Sequence, residues 1–300
     1  MKNHLLSLSK LLGASLLFLS LSACSYSPNA LKNSYNNLGK EHVRELKQLG
    51  DYTPQQSKQL DAFGGDIMQW HRKNRLPAYV NLLEKTSIKL EKSETLSDGD
   101  FHAYIKLLTS YPNFHESYKN NLQLAKLAST LSDEQFIQIS KRVREGSRDF
   151  TEYFQNTSWE SRKRQGVTGM ADLFSYLNIE LSNTQLDIVR KHSEKFRDLK
   201  DAFISDNETW NNELIDLMSH RHEANFEQKF ATHMLNDNMH KRLLKSMPVE
   251  ARYNNQISAN LYRELLASFN NQQRLTLVKQ IKSMASTLTD IINEKRPKHN

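Results

Sequence analysis

The sequence predicts an all-α fold, an elongated antiparallel bundle of about eight to ten helices behind an amino-terminal leader. Three observations lead there. Glycine and proline are sparse, 9 and 6 in 300 residues, which removes the turn punctuation that β-sandwiches and barrels need. Apolar residues recur at three- and four-residue spacing over long runs. A single helix-start phrase also recurs four times along the chain.

The leader comes first. Lys2 and Lys10 precede or open an apolar stretch from Leu11 to Leu21, and Leu21-Ser22-Ala23-Cys24 closes it. Small residues before the cut and a stretch too short for a comfortable membrane span fit a bacterial lipoprotein signal peptide over residues 1–23. Cleavage is expected between Ala23 and Cys24, with lipid on Cys24, the single cysteine of the chain. That covalent lipid is the only attached group expected, and no cofactor is. With the thiol consumed, no disulfide remains to form. Residues 24–30 then form a short lipidated tether, roughly 20 Å if fully extended at ~3.3 Å per residue. Ser25 is not the aspartate that commonly holds a lipoprotein at the inner membrane, so the expected address is the outer membrane, lipid-anchored on its periplasmic side.

Residues 31–300 are expected to form one all-helical periplasmic domain, with a possible sub-boundary near 166–169, where Gly166-Val167-Thr168-Gly169 interrupts a helical run. Removing the leader, with two lysines and no acid, lowers the net charge from +7 to +5. That mild excess weakens any nucleic-acid reading.

The recurrent phrases are Tyr52-Thr53-Pro54-Gln55-Gln56, Leu131-Ser132-Asp133-Glu134-Gln135, Leu181-Ser182-Asn183-Thr184-Gln185 and Phe269-Asn270-Asn271-Gln272-Gln273. Thr53, Ser132, Ser182 and Asn270 suit an N-cap. Gln56, Gln135, Gln185 and Gln273, three residues later, can reach back to the cap's own N–H, which is a capping box. Leu96-Ser97-Asp98-Gly99-Asp100 is a weaker fifth case with Asp in the Gln position. Behind the phrases run helical stripes: Leu60, Phe63, Ile67 and Trp70; Phe136, Ile139 and Val143, resumed at Phe150 and Phe154; Leu186, Val189, Ser193, Phe196, Lys200 and Phe203; and Leu277, Ile281, Met284, Leu288 and Ile291. Such stripes are core far more often than ligand lining. Pro77 can open a further helix, and Phe101–Leu108, Phe114–Leu127, Asp206–Met218, Glu223–Leu235 and Ile257–Leu266 continue the pattern. Gly64-Gly65 inside the first long helix implies a close helix contact or a kink.

Chemistry-bearing clusters are weak. His220 and His222 point about 200° apart on a helix, and the zincin spacing fails because Phe226 stands where the second histidine belongs. With His233 and His240 they read as a solvated face. Lys141-Arg142-Arg144-Arg148 and Arg162-Lys163-Arg164, near Trp159, suit an anionic partner, but interleaved Glu145, Asp149, Glu152 and Glu160 favour an ion-paired surface. No hydrolase elbow, phosphate loop or dinucleotide fingerprint is present, so no catalytic or metal residue is assigned.

The capping phrases resemble the Leu-Thr-x-x-Gln signature of small periplasmic stress chaperones of the Spy and CpxP type. Over nearly the whole mature chain, the order of segments is similar to an uncharacterised Gram-negative lipoprotein family, a DUF6279-like domain of unknown function. Cys24, Tyr35-Asn36-Asn37-Leu38, the phrase at Thr53, Trp70-His71-Arg72, Leu76-Pro77-Ala78-Tyr79, the phrases at Ser132 and Ser182, Trp210 and the phrase at Asn270 carry that resemblance. It implies a lipid-anchored helical protein and supplies no catalytic residues. The expected function is non-enzymatic: a membrane-tethered envelope factor that binds a protein client or envelope partner, with chaperone-like holding. Its rivals are a structural component of an envelope complex and an enzyme with an unrecognised site.

Overall fold

The computed structural model describes residues 26–94, 96–108 and 114–294. Cys24 and the cut after Ala23 lie outside them. The described chain is helical, with no strand among the described residues. Helix α1 spans Pro28–Lys47, capped by Ser27, whose hydroxyl accepts from the Ala30 amide at 3.1 Å. Helix thus begins at Pro28, inside the stretch expected as a tether over 24–30. There follow α2 (Pro54–Asn74), α3 (Leu76–Glu91), α4 (Asp98–Leu108), a 3-10 turn at Phe114–Glu116, α5 (Tyr118–Ser129) and α6 (Asp133–Asn156). The second half holds α7 (Trp159–Tyr176), α8 (Asn183–Ser193), α9 (Lys200–Ser219), α10 (Phe226–Met234), α11 (Met239–Ser246), α12 (Pro248–Ala267) and α13 (Asn271–Asn293).

All four Gln phrases are capping boxes with both bonds made, opening α2, α6, α8 and α13. The weaker phrase also works: Asp100 accepts from the Ser97 amide at 2.7 Å, and the Ser97 hydroxyl accepts from the Asp100 amide at 3.2 Å. Each Gln has a second role that its cap does not use. Gln56 and Gln135 donate to each other, Nε2 to Oε1, at 3.2 and 2.7 Å. Gln56 also donates to the Thr130 carbonyl at 3.2 Å and Gln135 to the Asp51 carbonyl at 2.6 Å. Gln185 and Gln273 repeat the arrangement at 2.9 Å in both directions, with the Ser268 and Glu180 carbonyls as the outer acceptors at 3.1 and 2.9 Å. Even the supporting turn recurs: the Thr130 hydroxyl donates to the Leu127 carbonyl as the Ser268 hydroxyl does to that of Leu265.

The chain is therefore two related halves, and they exchange helices. Within each half the first helix packs on the second, α1 on α2 and α7 on α8. Helix α3 of the first half lies against α13 of the second, and α9 of the second lies against α6 of the first. In the same reciprocal way α10 packs on α5 and α4 on α12. Two large apolar cores result, one centred on Tyr35, Leu60, Ile67 and Phe226, the other on Ile179, Leu265, Phe269 and Ile281.

Several expected elements change. Helix α7 runs unbroken through 166–169, so the sub-boundary expected there falls inside a helix. The run expected from Leu186 to Phe203 stops at Ser193 and resumes at Lys200. On α2 the buried stripe ends on His71, which is 0% exposed, while Trp70 is half-buried. Gly64 serves a close contact: a Cβ on Gly39 of α1 would sit 2.5 Å from Met68 Cγ and 2.9 Å from the Gly64 carbonyl.

Because Gln56 and Gln135 share two buried bonds, Gln135→Ala should lower stability by about 2–3 kcal/mol. Gln56→Ala and Gln135→Ala should couple by roughly 1 kcal/mol or more in a double-mutant cycle, whereas Gln135→Ala and Gln185→Ala should add. Urea unfolding of the four variants measures both terms, and additivity within the Gln56–Gln135 pair would refute the shared bonds.

Candidate functional site

Between the end of α6, helix α7, the linker 194–199 and helix α12 lies an open groove of about 550 Å³. It exists because the second half departs from the first. Counting from the capping boxes, α2 continues through Gly64 and Gly65 to Asn74, while the corresponding α8 ends at Ser193. The linker that replaces the missing turns supplies Phe196, Arg197, Asp198 and Leu199 to the groove wall.

Three contacts hold that linker. Lys163 pairs with Glu194, and with Glu160 at 2.7 Å, so both carboxylates raise its pKa. Arg162 pairs with Asp198. Asn254 of α12 binds the Arg197 peptide as a second strand would, accepting from its N–H and donating to its carbonyl, both at 2.9 Å.

The groove is aromatic at one end. The Arg162 guanidinium lies 5.5 Å from the Phe154 ring centre and 5.4 Å from that of Trp159, and it also donates to the Phe154 and Thr157 carbonyls that end α6. Arg197 stacks on Tyr253 at 4.3 Å and stands 3.9 Å from Glu250. Both arginines are thus stacked and charge-paired. His240 also lines the groove, and burial pushes its pKa down.

The floor is α7, and it carries Gly166 and Gly169. A Cβ at either would meet nothing within 4 Å, and neither has a positive φ. Each costs about 1 kcal/mol relative to alanine inside a helix. No packing contact or backbone geometry accounts for them, so their local effect is to leave the floor without side chains.

The basic cluster over Arg162 and Lys163 is therefore part of the groove's framework. Lys141, Arg142 and Arg148 stay on an exposed face paired with Glu145, Asp149 and Glu152. The four histidines read as one face are separated. The ring of His220 binds the Asp216 carbonyl at 2.9 Å, His233 stacks on Trp210 at 4.9 Å, and His240 faces the groove. Among the described residues no three His, Cys, Asp or Glu side chains are placed to hold a metal ion. Arg221, between His220 and His222, is 3% exposed. It donates to the Leu131 carbonyl at 3.0 Å, pairs with Asp133 and covers Phe136 at 4.9 Å, bracing the second capping box.

The sequence reading also missed a buried histidine cluster. Nδ1 of His71 is 3.1 Å from the Tyr35 hydroxyl, and His42 lies 5.0 Å from Phe114 and 5.7 Å from His115, ring to ring. Nδ1 of His115 is 3.1 Å from Asn121, which also donates to the His115 and Ala231 carbonyls. Burial lowers the His42 and His71 pKa values to about 3, helped by His115 and Arg75 respectively. Glu116 at the edge is held by Arg75 at 3.0 Å and Lys241 at 2.6 Å. His42 and His71 are thus neutral rings in the core, and Glu116 beside them is already paired. The one signal for it in the sequence was the four-residue step from Ile67 to His71.

A family of unknown function, DUF6279, matches residues 49–243. The chain belongs to this family. No curated protein and no solved structure matches it. The DUF6279 match spans the first glutamine pair, Gln185, and the α7 floor with its linker, but it ends before Asn254 and Gln273.

Two outcomes follow. Gly169→Ala should stabilise the fold by about 1 kcal/mol, read as a raised thermal midpoint; a loss would mean that the glycine serves packing. The imidazoles make acid destabilising. Unfolded histidines protonate below about pH 6.5, whereas His42 and His71 resist protonation in the fold, so stability is unaffected above pH 6.5 and falls below it. By pH 5 each should have cost about 2 kcal/mol, and His42→Phe should reduce the slope of urea midpoint against pH. A flat profile from pH 6.5 to 5 would contradict the buried neutral rings.

Proposed function

We propose that this chain is a lipid-anchored helical protein on the periplasmic side of the outer membrane, fixed there through Cys24, that binds apolar segments of other proteins without catalysis. The groove beside α7 carries this reading. Its walls are aromatic and aliphatic, its two arginines are already paired with Asp198 and Glu250, and its floor is bare at Gly166 and Gly169. A partner gains there by covering apolar surface, worth about 25 cal/mol per Å². The address rests on the leader, the Leu21–Cys24 box and Ser25. No described helix is long and apolar enough to cross a membrane, and a covalent lipid would supply the attachment.

The test pairs function with anchoring. Purified chain from Ser25 onward should suppress aggregation of a reduced, unfolded client at a few-fold molar excess. Gly166→Leu with Gly169→Leu, which fills the floor, should weaken that protection several-fold without loss of stability. No protection at all, or equal protection by the filled variant, counts against the groove. Retention instead of one stoichiometric partner from detergent-solubilised membranes would favour a structural component. In cells, Cys24→Ala should abolish palmitate labelling; persistent labelling would refute the anchor.

A further inference from the structure

One face of α7 carries the groove from end to end. Arg162, Gly166, Gly169 and Leu173 line it at helical spacing, and Tyr176 is the next step of the same stripe. That step is where the amino terminus of the described chain is fastened. The Tyr26 amide donates to the Tyr176 carbonyl at 2.8 Å, and the two rings meet edge to face at 6.0 Å. The Tyr26 hydroxyl lies 3.3 Å from both Ser283 Oγ and Thr287 Oγ1 of α13. Tyr26 is buried and cannot swing away without breaking these contacts. Cys24 is two residues earlier, within ~7 Å at full extension.

We propose that the groove is an acyl-chain site and that its occupant is the lipid of the chain's own Cys24 when the protein is off the bilayer. This rests on the reading of Cys24 as the lipidated residue and of the groove as the binding surface. The dimensions agree. From Leu173 to Arg162, the stretch of α7 that lines the groove, the helix rises ~17 Å, about half of a ~30 Å hydrocarbon core and so close to the depth one acyl chain spans. The chemistry discriminates among occupants. The floor is a helix whose backbone groups are bonded within it, so it offers no partner to the amides of an extended peptide; what it accepts is an apolar helix face of a client or a hydrocarbon chain. An acyl chain has no such groups. An anionic headgroup needs an unpaired cation, whereas Arg162 is held by Asp198 and Arg197 is stacked on Tyr253 with Glu250 3.9 Å away. Glycine at 166 and 169 leaves a trough that a flexible hydrocarbon can follow. A tethered chain also needs little affinity, because attachment next to the groove makes its local concentration high. Off the membrane the acyl chain and the groove shield each other; at the bilayer the chain leaves and the groove opens to clients.

The probe is cis-parinaric acid, titrated by fluorescence into the unlipidated chain from Ser25 onward. Saturable binding displaced by palmitate is expected. Gly166→Leu with Gly169→Leu should weaken it at least tenfold while the thermal midpoint holds or rises. The lipidated protein, kept detergent-free, should bind the probe at least tenfold more weakly than the unlipidated form, because its own chain competes. Absence of saturable binding, or affinity unchanged in the filled variant, overturns the acyl site. Equal affinity in the lipidated form, or a chain that carries no lipid in cells, overturns the assignment to Cys24. Client protection without probe binding would sink the acyl site and leave the client-binding reading standing.

Discussion

Everything in this fold hangs on two pairs of glutamines. Within a pair, each Oε1 accepts from its own cap's N–H and from the opposite Nε2, and each Nε2 donates to the opposite Oε1 and to a carbonyl ending the neighbouring segment. Both amides are therefore fully satisfied, and in the Gln56–Gln135 pair they are so in a buried setting, where an unmet partner is costly. One pair fixes the starts of α2 and α6 against the end of α5, and the other fixes α8 and α13 against the end of α12. Helix entry, usually a local matter, becomes here the tertiary joint. No disulfide is needed to hold segments that are distant in sequence.

Helix exchange turns those two joints into one body. Since α3 completes the core of α13 and α9 covers α6, neither half can bury its apolar faces alone. The halves are nonetheless unequal, and the inequality falls in one place. The first half keeps α2 continuous and fills the space with His71, Tyr35 and Tyr79. The second half interrupts the helix after Ser193 and braces the opened linker with Lys163, Arg162 and Asn254. A break stabilised from three sides is a built feature, and the groove follows from it.

Local signals in the sequence were legible because they act over four residues. The capping boxes, the helical stripes and the all-α class are all of that kind, and so is the close contact at Gly64. The pairing of Gln56 with Gln135, by contrast, joins residues far apart in sequence, and nothing in either phrase names its partner. Arg221 looked solvated among His220, His222 and Glu223 because only the exchange of α9 onto α6 brings it under Phe136. The linker was hidden for a similar reason. Val189, Phe196 and Phe203 keep approximate helical spacing, yet Phe196 and Phe203 face the groove across a break that periodicity alone cannot see. Helix α7 misled in the opposite direction, since Gly166 and Gly169 suggested an interruption that its surrounding turns override.

Helical glycines in this chain have two opposite surroundings, close packing at some positions and open space at others. At Gly39 and Gly64 the missing Cβ lets α1 and α2 touch, so the local penalty returns as packing. At Gly166 and Gly169 the penalty returns as nothing inside the protein. A fold made consistent from caps to core gains no packing from two such positions on one helix face, Gly166 four residues after Arg162 and Gly169 four residues before Leu173. Sequences depart from local rules without internal gain mainly where something outside the fold supplies it. The bare stretch of α7, approaching the turn where Tyr26 holds the amino terminus, is thus the part of the surface that packing within the fold does not account for.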